Sequence, residues 1–214
     1  MRIGVLGTGD VGQVLGAAFA KRGHTVKMGS RDPAQDKVRA WVAKTGAAAS
    51  AGTFAEAAAF GEVVVLATLW TATESILKLA GPENFSGKLV LDATNPLDFS
   101  GGVPPKLAVS GADSAGERVQ RWLPDARVVK AFNTVGNRHM DAPSFAGGPP
   151  DMFLCGNDAS AKKTAAELIR SLGFGIVDSG GIESSRYLEA IAMVWILEFF
   201  ATGSGDHAFK ILRK

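Results

Sequence analysis

One cysteine, one tyrosine and three histidines are all that 214 residues offer of the side chains most often used for nucleophilic, proton-transfer and metal chemistry. Cys155, being single, excludes an intramolecular disulfide and fits a reducing cytoplasm. It falls in an apolar run and reads as a small buried hydrophobe. The lone Tyr187 has no lysine four positions on, so the Tyr-x-x-x-Lys pair of short-chain dehydrogenases is missing. No HExxH helix, no spaced Cys/His set and no G-x-S-x-G turn occurs, which argues against a metal centre and a serine nucleophile. Asp92, Asp98, Asp141 and Asp151 do not make a ligand cluster. His24 sits between a helix and a strand, away from any site expected below. His139 follows a strand in a loop, and His207 reads as an exposed tail residue.

Nor does charge of either sign dominate. The formal net charge is +2, with no basic block and no alternation of basic and aromatic residues, so nucleic acid is not expected as a partner. Nor is a membrane. The most apolar late stretch, Ile191 to Ala201, is too short to span a bilayer and carries Glu198. The chain opens directly on a strand pattern, with no leader in front of it. A hydrophobic fraction of 46% and a charged fraction of 21% suit an ordinary globule of one domain, or one domain and an appendage.

What is present begins at Arg2. An apolar run, Ile3 to Leu6, leads into Gly7-Thr8-Gly9-Asp10-Val11-Gly12, and Val11, Val14, Leu15, Ala18 and Phe19 then recur at helical spacing. Thr25 to Met28 gives a second strand ending in Gly29-Ser30-Arg31. Strand, glycine turn, helix and strand in this order form a dinucleotide-binding unit. Gly7 permits the sharp exit from the strand, Gly9 leaves bare backbone for a pyrophosphate, and Gly12 lets the helix pack on the sheet. The N–H groups of the first helical turn then face the phosphates. After the second strand an NAD site carries Asp or Glu, which would repel a 2′-phosphate. Here stand Ser30 and Arg31, a hydroxyl and a guanidinium suited to phosphate, so NADP(H) is expected. The alternative is that Ser30 caps a helix beginning near Asp32-Pro33 and Arg31 is a solvated surface charge.

The rest alternates strand and helix. Ala34 to Lys44 reads as a helix, Ala47 to Ala49 as a third strand, and Thr53 as the cap of a short helix to Phe60. The β-branched run Glu62 to Ala67 is a strand buried on both faces, followed by Thr68-Leu69-Trp70-Thr71 and a helix through Leu79. Lys88 to Asp92 is a strand ending in Ala93-Thr94-Asn95-Pro96-Leu97, and Ser100 to Gly111 an exposed loop. Ser114 to Trp122 is a helix, and Arg127 to Phe132 a strand whose end carries Asn133-Thr134-Val135. A soft boundary falls between Asp141 and Pro150. Beyond it come Met152 to Cys155, a helix from Ala161 to Ser171, Gly175 to Asp178, a long helix from Glu183 to Ala201, and a short terminal helix.

This pattern gives an α/β, Rossmann-type doubly wound and mainly parallel sheet of about eight strands with a small helical C-terminal portion. Residues 1–140 form the NADP-binding domain, and 141–214 extend the sheet and complete an acceptor cleft. Ligands in such sheets bind outside the carboxyl ends of the strands. The expected cofactor contacts are therefore Gly7, Thr8, Gly9, Asp10, Val11, Gly12, Ser30, Arg31, Thr68, Leu69, Trp70, Asn95 and Pro96, with Phe132, Asn133 and Thr134 bordering the reactive ring. The alternative for Trp70 is a loop anchor packed on the sheet, and for Asn95-Pro96 a simple turn. No catalytic acid or base stands out. That suits direct hydride transfer between two stacked rings, which needs alignment and exclusion of water more than a proton donor. The last long helix is apolar nearly all round, so it is either deeply buried or the interface of a homodimer.

Gly7-Thr8-Gly9-x-x-Gly12, Gly23-His24, Gly29-Ser30-Arg31, Ala93 to Leu97 and Lys130-Ala131-Phe132-Asn133-Thr134 together resemble the NADPH-dependent reductases of coenzyme F420, over almost the whole chain. The resemblance implies hydride transfer between NADP(H) and a deazaflavin in a cleft between the Rossmann domain and a C-terminal portion. It places Thr8, Ser30 and Arg31 on the 2′-phosphate, Gly9 to Gly12 on the pyrophosphate, and Thr68 to Trp70 with Asn95-Pro96 about the ribose and nicotinamide. Family members often carry a lysine shortly after Gly-Ser-Arg, where this chain has Gln35 with Lys37 nearby. Similar domains reduce flavins and serve metalloreductases. The expected partner is thus a small-molecule hydride acceptor, F420 or a flavin, with a metal chelate or an imine as alternatives, and a non-catalytic NADP(H) sensor as the reading from another class.

Overall fold

A computed structural model describes residues Met1–Lys214. The strands are β1 (Arg2–Leu6), β2 (Thr25–Ser30), β3 (Ala49–Thr53), β4 (Val63–Leu66), β5 (Leu89–Asp92), β6 (Leu97–Asp98), β7 (Lys106–Leu107), β8 (Arg127–Lys130), β9 (Asp151–Gly156) and β10 (Gly175–Asp178). The α-helices are α1 (Asp10–Lys21), α2 (Asp36–Thr45), α3 (Phe54–Phe60), α4 (Trp70–Ala80), α5 (Ala115–Trp122), α6 (Ala159–Ser171) and α7 (Ser185–Thr202). Eight strands make one sheet in the order β10-β9-β8-β5-β4-β1-β2-β3, and β6 and β7 form a separate small hairpin.

From β1 the chain builds outward through β2 and β3, then returns to lay β4, β5 and β8 on the other side. The order of growth reverses between β1 and β4, which opens a crevice at their carboxyl ends. The interior strands are apolar on both faces because helices cover both. Val63 and Val65 join a 28-residue cluster with Leu15 and Phe19 of α1, Trp41 of α2 and Ile169 of α6. Val64 and Leu66 face the opposite way, into a 16-residue cluster with Ala57 of α3, Leu77 of α4 and Val119 of α5. Each such side chain contributes about 1.5–3 kcal/mol by leaving water.

The sheet is not parallel throughout. β9 runs antiparallel to β8, pairing Val129 with Gly156 and Lys130 with Cys155, while β10 is parallel to β9. The loop after β8 therefore folds back beside the start of β9, where the Phe132 N–H donates to Met152 Sδ at 3.1 Å.

Four local expectations are corrected. β3 begins at Ala49 rather than Ala47, because Gly46 closes α2 in the left-handed region and the register opposite Val26 starts at Ala49. The segment expected as an open loop from Ser100 contains β7, paired back onto β6. No helix ends the chain. After the left-handed Gly203, residues 204–214 lie as an irregular strap. Its polar groups are taken by neighbours instead: the Asp151 N–H donates to the Phe209 carbonyl at 2.9 Å, and the Ile211 N–H to Asp151 Oδ2 at 2.8 Å. His207, expected to be exposed, stacks half-buried on Trp195, with ring centroids 4.6 Å apart. No helix is long and apolar enough to cross a membrane.

Candidate functional site

β1 ends in a turn whose geometry follows from its glycines. Gly7 has φ +130°, and a Cβ there would stand 2.2 Å from the Ala67 carbonyl oxygen after β4. A Cβ on Gly12 would meet the Gly7 carbonyl oxygen at the same 2.2 Å, so α1 lies directly against the strand exit. Gly9 is different: its Cβ would find no atom within 4 Å. Nothing in the protein itself requires that residue to be small, and the space above it suits a phosphate. Gln13 Nε2 donates to the Thr8 carbonyl at 2.9 Å and holds the turn.

Helix caps sort the edge further. α3 starts with a capping box between Thr53 and Glu56, and α5 starts under Ser114, whose hydroxyl accepts the Glu117 N–H. α1, α2 and α4, which follow β1, β2 and β4, have no side-chain cap. Free N–H groups and the positive end of each helix dipole are thus left open beside the crevice, where anions bind well.

At the end of β2 the two residues expected to read the phosphate behave differently. Ser30 is buried, and its hydroxyl accepts the Asp32 N–H and a Gln35 Nε2 bond while donating to the Asp32 carbonyl at 2.9 Å. It shapes the turn rather than capping a helix near Asp32; α2 begins at Asp36 after Gln35. Arg31 is exposed and makes neither an ion pair nor a side-chain hydrogen bond. It is a free guanidinium in the turn between β2 and α2.

After β4, Thr68 and Thr73 share a hydroxyl bond of 2.8 Å, and Leu69 is exposed. Trp70 opens α4 and stacks on Trp122 of α5, centroids 5.4 Å apart, so the indole serves at least as an anchor between two helices. After β5, Asn95 Nδ2 donates to the Asn133 carbonyl at 3.0 Å, tying that loop to the one after β8, and Pro96 is buried. Asn133 donates through Nδ2 to the Leu188 carbonyl of α7 at 3.0 Å, which leaves its buried Oδ1 without a partner. An unmatched buried acceptor is costly. Phe132, just before it, holds φ +65°, a strained setting for an aromatic residue that bends the chain toward α7. The edge thus presents open helix ends on one flank and an amide acceptor on the other, and these residues fit a dinucleotide whose phosphates meet α1 and whose amide-bearing ring lies toward Asn95 and Asn133.

One group of charges escaped the sequence reading. Lys130, the last residue of β8, is fully buried, and its Nζ lies 2.8 Å from Asp92 Oδ2, 2.9 Å from the Thr94 carbonyl and 3.1 Å from Glu189 Oε1. Glu189 also accepts the Ala115 and Gly116 N–H groups at the start of α5, at 3.0 and 3.1 Å. Burial alone would lower the lysine, but the two carboxylates outweigh it and hold its pKa above the ordinary value. Burial pushes Glu189 up, against the pull of Lys130 and the two N–H groups. The signal lay in the strand patterns: Asp92 and Lys130 each end an apolar run where only a paired charge is tolerated. Cys155 lies beside Lys130 in the sheet, its thiol pushed up to about 11 by burial.

Comparison with known proteins gives the family. Residues 2–96 match the family model described as NADP oxidoreductase coenzyme F420-dependent. The F420-dependent NADP reductase of Methanocaldococcus jannaschii is 31% identical, over 96% of this chain and 96% of its own. The chain belongs to the coenzyme F420-dependent NADP oxidoreductase family. It is an NADP-dependent oxidoreductase, from a family that uses NADP(H) and coenzyme F420. A crystal structure of a candidate F420-dependent NADP reductase from Arthrobacter sp. FB24 superposes with a TM-score of 0.94 at 41% identity, covering all of both chains. Metalloreductase STEAP3 of Rattus norvegicus is 29% identical over 90% of this oxidoreductase, which spans only 36%, about a third, of that relative's length.

Proposed function

We propose that this oxidoreductase transfers hydride between NADP(H) and a deazaflavin of the F420 type, with the nucleotide lying across the β1/β4 crevice. The observation that carries the reading is the pairing of two vacancies in the protein's own bonding: the open, uncapped start of α1 over Gly9, and the unpartnered Arg31 beyond β2. Asp10, Val11 and Gly12 present backbone N–H groups to the pyrophosphate. Arg31 grips the 2′-phosphate at the start of α2, with Thr8 beside it and Ser30 fixing the turn from which the arginine projects. Thr68, Leu69, Asn95 and Pro96 border the ribose and nicotinamide, with Trp70 behind them on Trp122. Asn133 Oδ1 accepts from the carboxamide.

NADPH supplies the hydride when bound. The protein's part is alignment and exclusion of water. The acidic and basic side chains at the inner end of the crevice, Asp92, Lys130 and Glu189, are committed to one another, which suits a transfer between two flat rings without a protein proton donor. α7 closes the flank beyond Asn133, and with the rest of residues 141–214 it forms the acceptor side. The sequence composition, with one reduced cysteine, favours a cytoplasmic setting.

Two measurements test this. Anaerobic mixing with NADPH and oxidised F420 should bleach the deazaflavin absorbance; no change would reject the acceptor. Arg31→Ala should weaken NADPH binding by about 1.5–3 kcal/mol, the loss of a charged hydrogen bond, and leave NADH binding nearly unchanged. Equal weakening of both would show that Arg31 does not read the phosphate.

A further inference from the structure

Three N–H bonds are all that a lysine ammonium can donate. In Lys130 the ammonium reaches three segments: it donates to Asp92 at the end of β5 and to the Thr94 carbonyl in the loop after it, and it forms an ion pair with Glu189 on α7 at 3.1 Å. Asp92 uses its other oxygen on the same loop, accepting the Thr94 N–H at 2.9 Å and the Thr94 hydroxyl at 2.7 Å. Thr94 is therefore fixed at its amide, its side chain and its carbonyl. The next residue, Asn95, reaches across to the Asn133 carbonyl. On the other side, Glu189 joins α7 to the start of α5, and the carbonyl of the preceding residue, Leu188, receives the Asn133 amide.

A buried ion group of this kind is a poor device for stability alone, because well-packed apolar side chains often serve as well or better. What it does provide is fixed direction. We propose that Lys130 is a positioning residue that locks the nicotinamide-side loop, Thr94 to Pro96, to the acceptor-side helix α7, and so sets the distance between the hydride-donating and hydride-accepting rings. It touches neither ring. The proposal rests on the placement of the nicotinamide at Asn95 and Asn133 given above. It adds that one ammonium registers both walls of the cleft.

The test compares Lys130→Met and Glu189→Gln with the parent enzyme. Lys130→Met strands two buried carboxylates and is read only if its melting transition stays cooperative. Glu189→Gln keeps the side-chain shape and the Lys130–Asp92 pair and serves where the first does not fold. In the folded variant, kcat for F420 reduction should fall on the order of tenfold or more, as expected for a misplaced near-attack geometry. The dissociation constant for NADPH, set by the phosphate end, should stay within about twofold of the parent. The emission of bound NADPH, which reports how firmly the nicotinamide is held and needs no acceptor, should drop toward that of free NADPH. Loss of the ion group lowers the melting temperature under either reading; a merely structural role would instead lower NADPH affinity and kcat together, and that result overturns the proposal. So does a folded Glu189→Gln enzyme with parent-like kcat and emission. Should the parent itself fail to reduce F420, the acceptor assignment falls, and the NADPH emission of the two variants alone decides the role of Lys130.

Discussion

Gly7 and Ala67 meet where the sheet reverses its order of growth, so closely that a single added carbon on Gly7 would overlap the Ala67 carbonyl oxygen. Gly7 also holds a backbone angle that other residues rarely adopt. Gly7→Ala should therefore destabilise the fold by roughly 2–4 kcal/mol through overlap and backbone strain together. Gly9→Ala should behave in the opposite way, because nothing in the protein meets its Cβ. Its melting temperature should match the parent, while NADPH binding weakens by on the order of 1–3 kcal/mol, the usual cost of crowding a close-fitting contact. Thermal melts and titrations with NADPH separate the two effects. A Gly9→Ala protein that binds NADPH normally would remove the pyrophosphate from that turn.

Thr53 and Glu56 cap each other's ends of a hydrogen-bonded pair at the start of α3. Thr53→Ala should cost about 1 kcal/mol, seen as a lower melting temperature, with NADPH affinity unchanged. Loss of affinity would mean that α3 communicates with the crevice.

Glu117 of α5 receives a two-pronged contact from Arg186 of α7, with Nε at 2.8 Å and Nη2 at 2.6 Å. That guanidinium, together with the Ser114 hydroxyl and against a burial effect that pushes the other way, holds the Glu117 carboxyl below its ordinary value of 4.5. A carboxylate lowered on folding adds stability above its unfolded pKa, and the gain disappears as pH falls through the folded one. The melting temperature of Glu117→Gln should lie about 2–4 °C below the parent near pH 7. The gap should close progressively below pH 4.5, the ordinary value of the group. A gap independent of pH would show that the contact acts by packing alone.

Much of this was legible because strands buried on both faces announce themselves. Val63 to Leu66 and Leu89 to Asp92 read as apolar runs, and Gly7 to Gly12 fixed where the first helix must begin. Thr53, read as a cap, gave the start of α3 to the residue. The reversed direction of β9 was hidden, since an apolar run such as Met152 to Cys155 looks the same whichever way it is laid into a sheet. The terminal strap was hidden for another reason: its order comes from distant partners, Asp151 and Trp195, that no local pattern reveals. Lys130, Asp92 and Glu189 were each visible, but Asp92 lies 38 residues before Lys130 and Glu189 59 after it, and only the fold brings them together.

The reversal at β9 has a mechanical consequence. Val129–Gly156 and Lys130–Cys155 are the only two paired positions that connect the β9–α6–β10 unit to the rest of the sheet, whereas β1 and β2 share five. Cohesion along that line therefore comes from interlocked side chains, Met152, Leu154 and Ile169 among Val129 and Phe132, rather than from the backbone ladder. When the molecule loosens by degrees, this is the line on which it parts: amides of β9 should surrender their deuterium protection before those of β1 and β4.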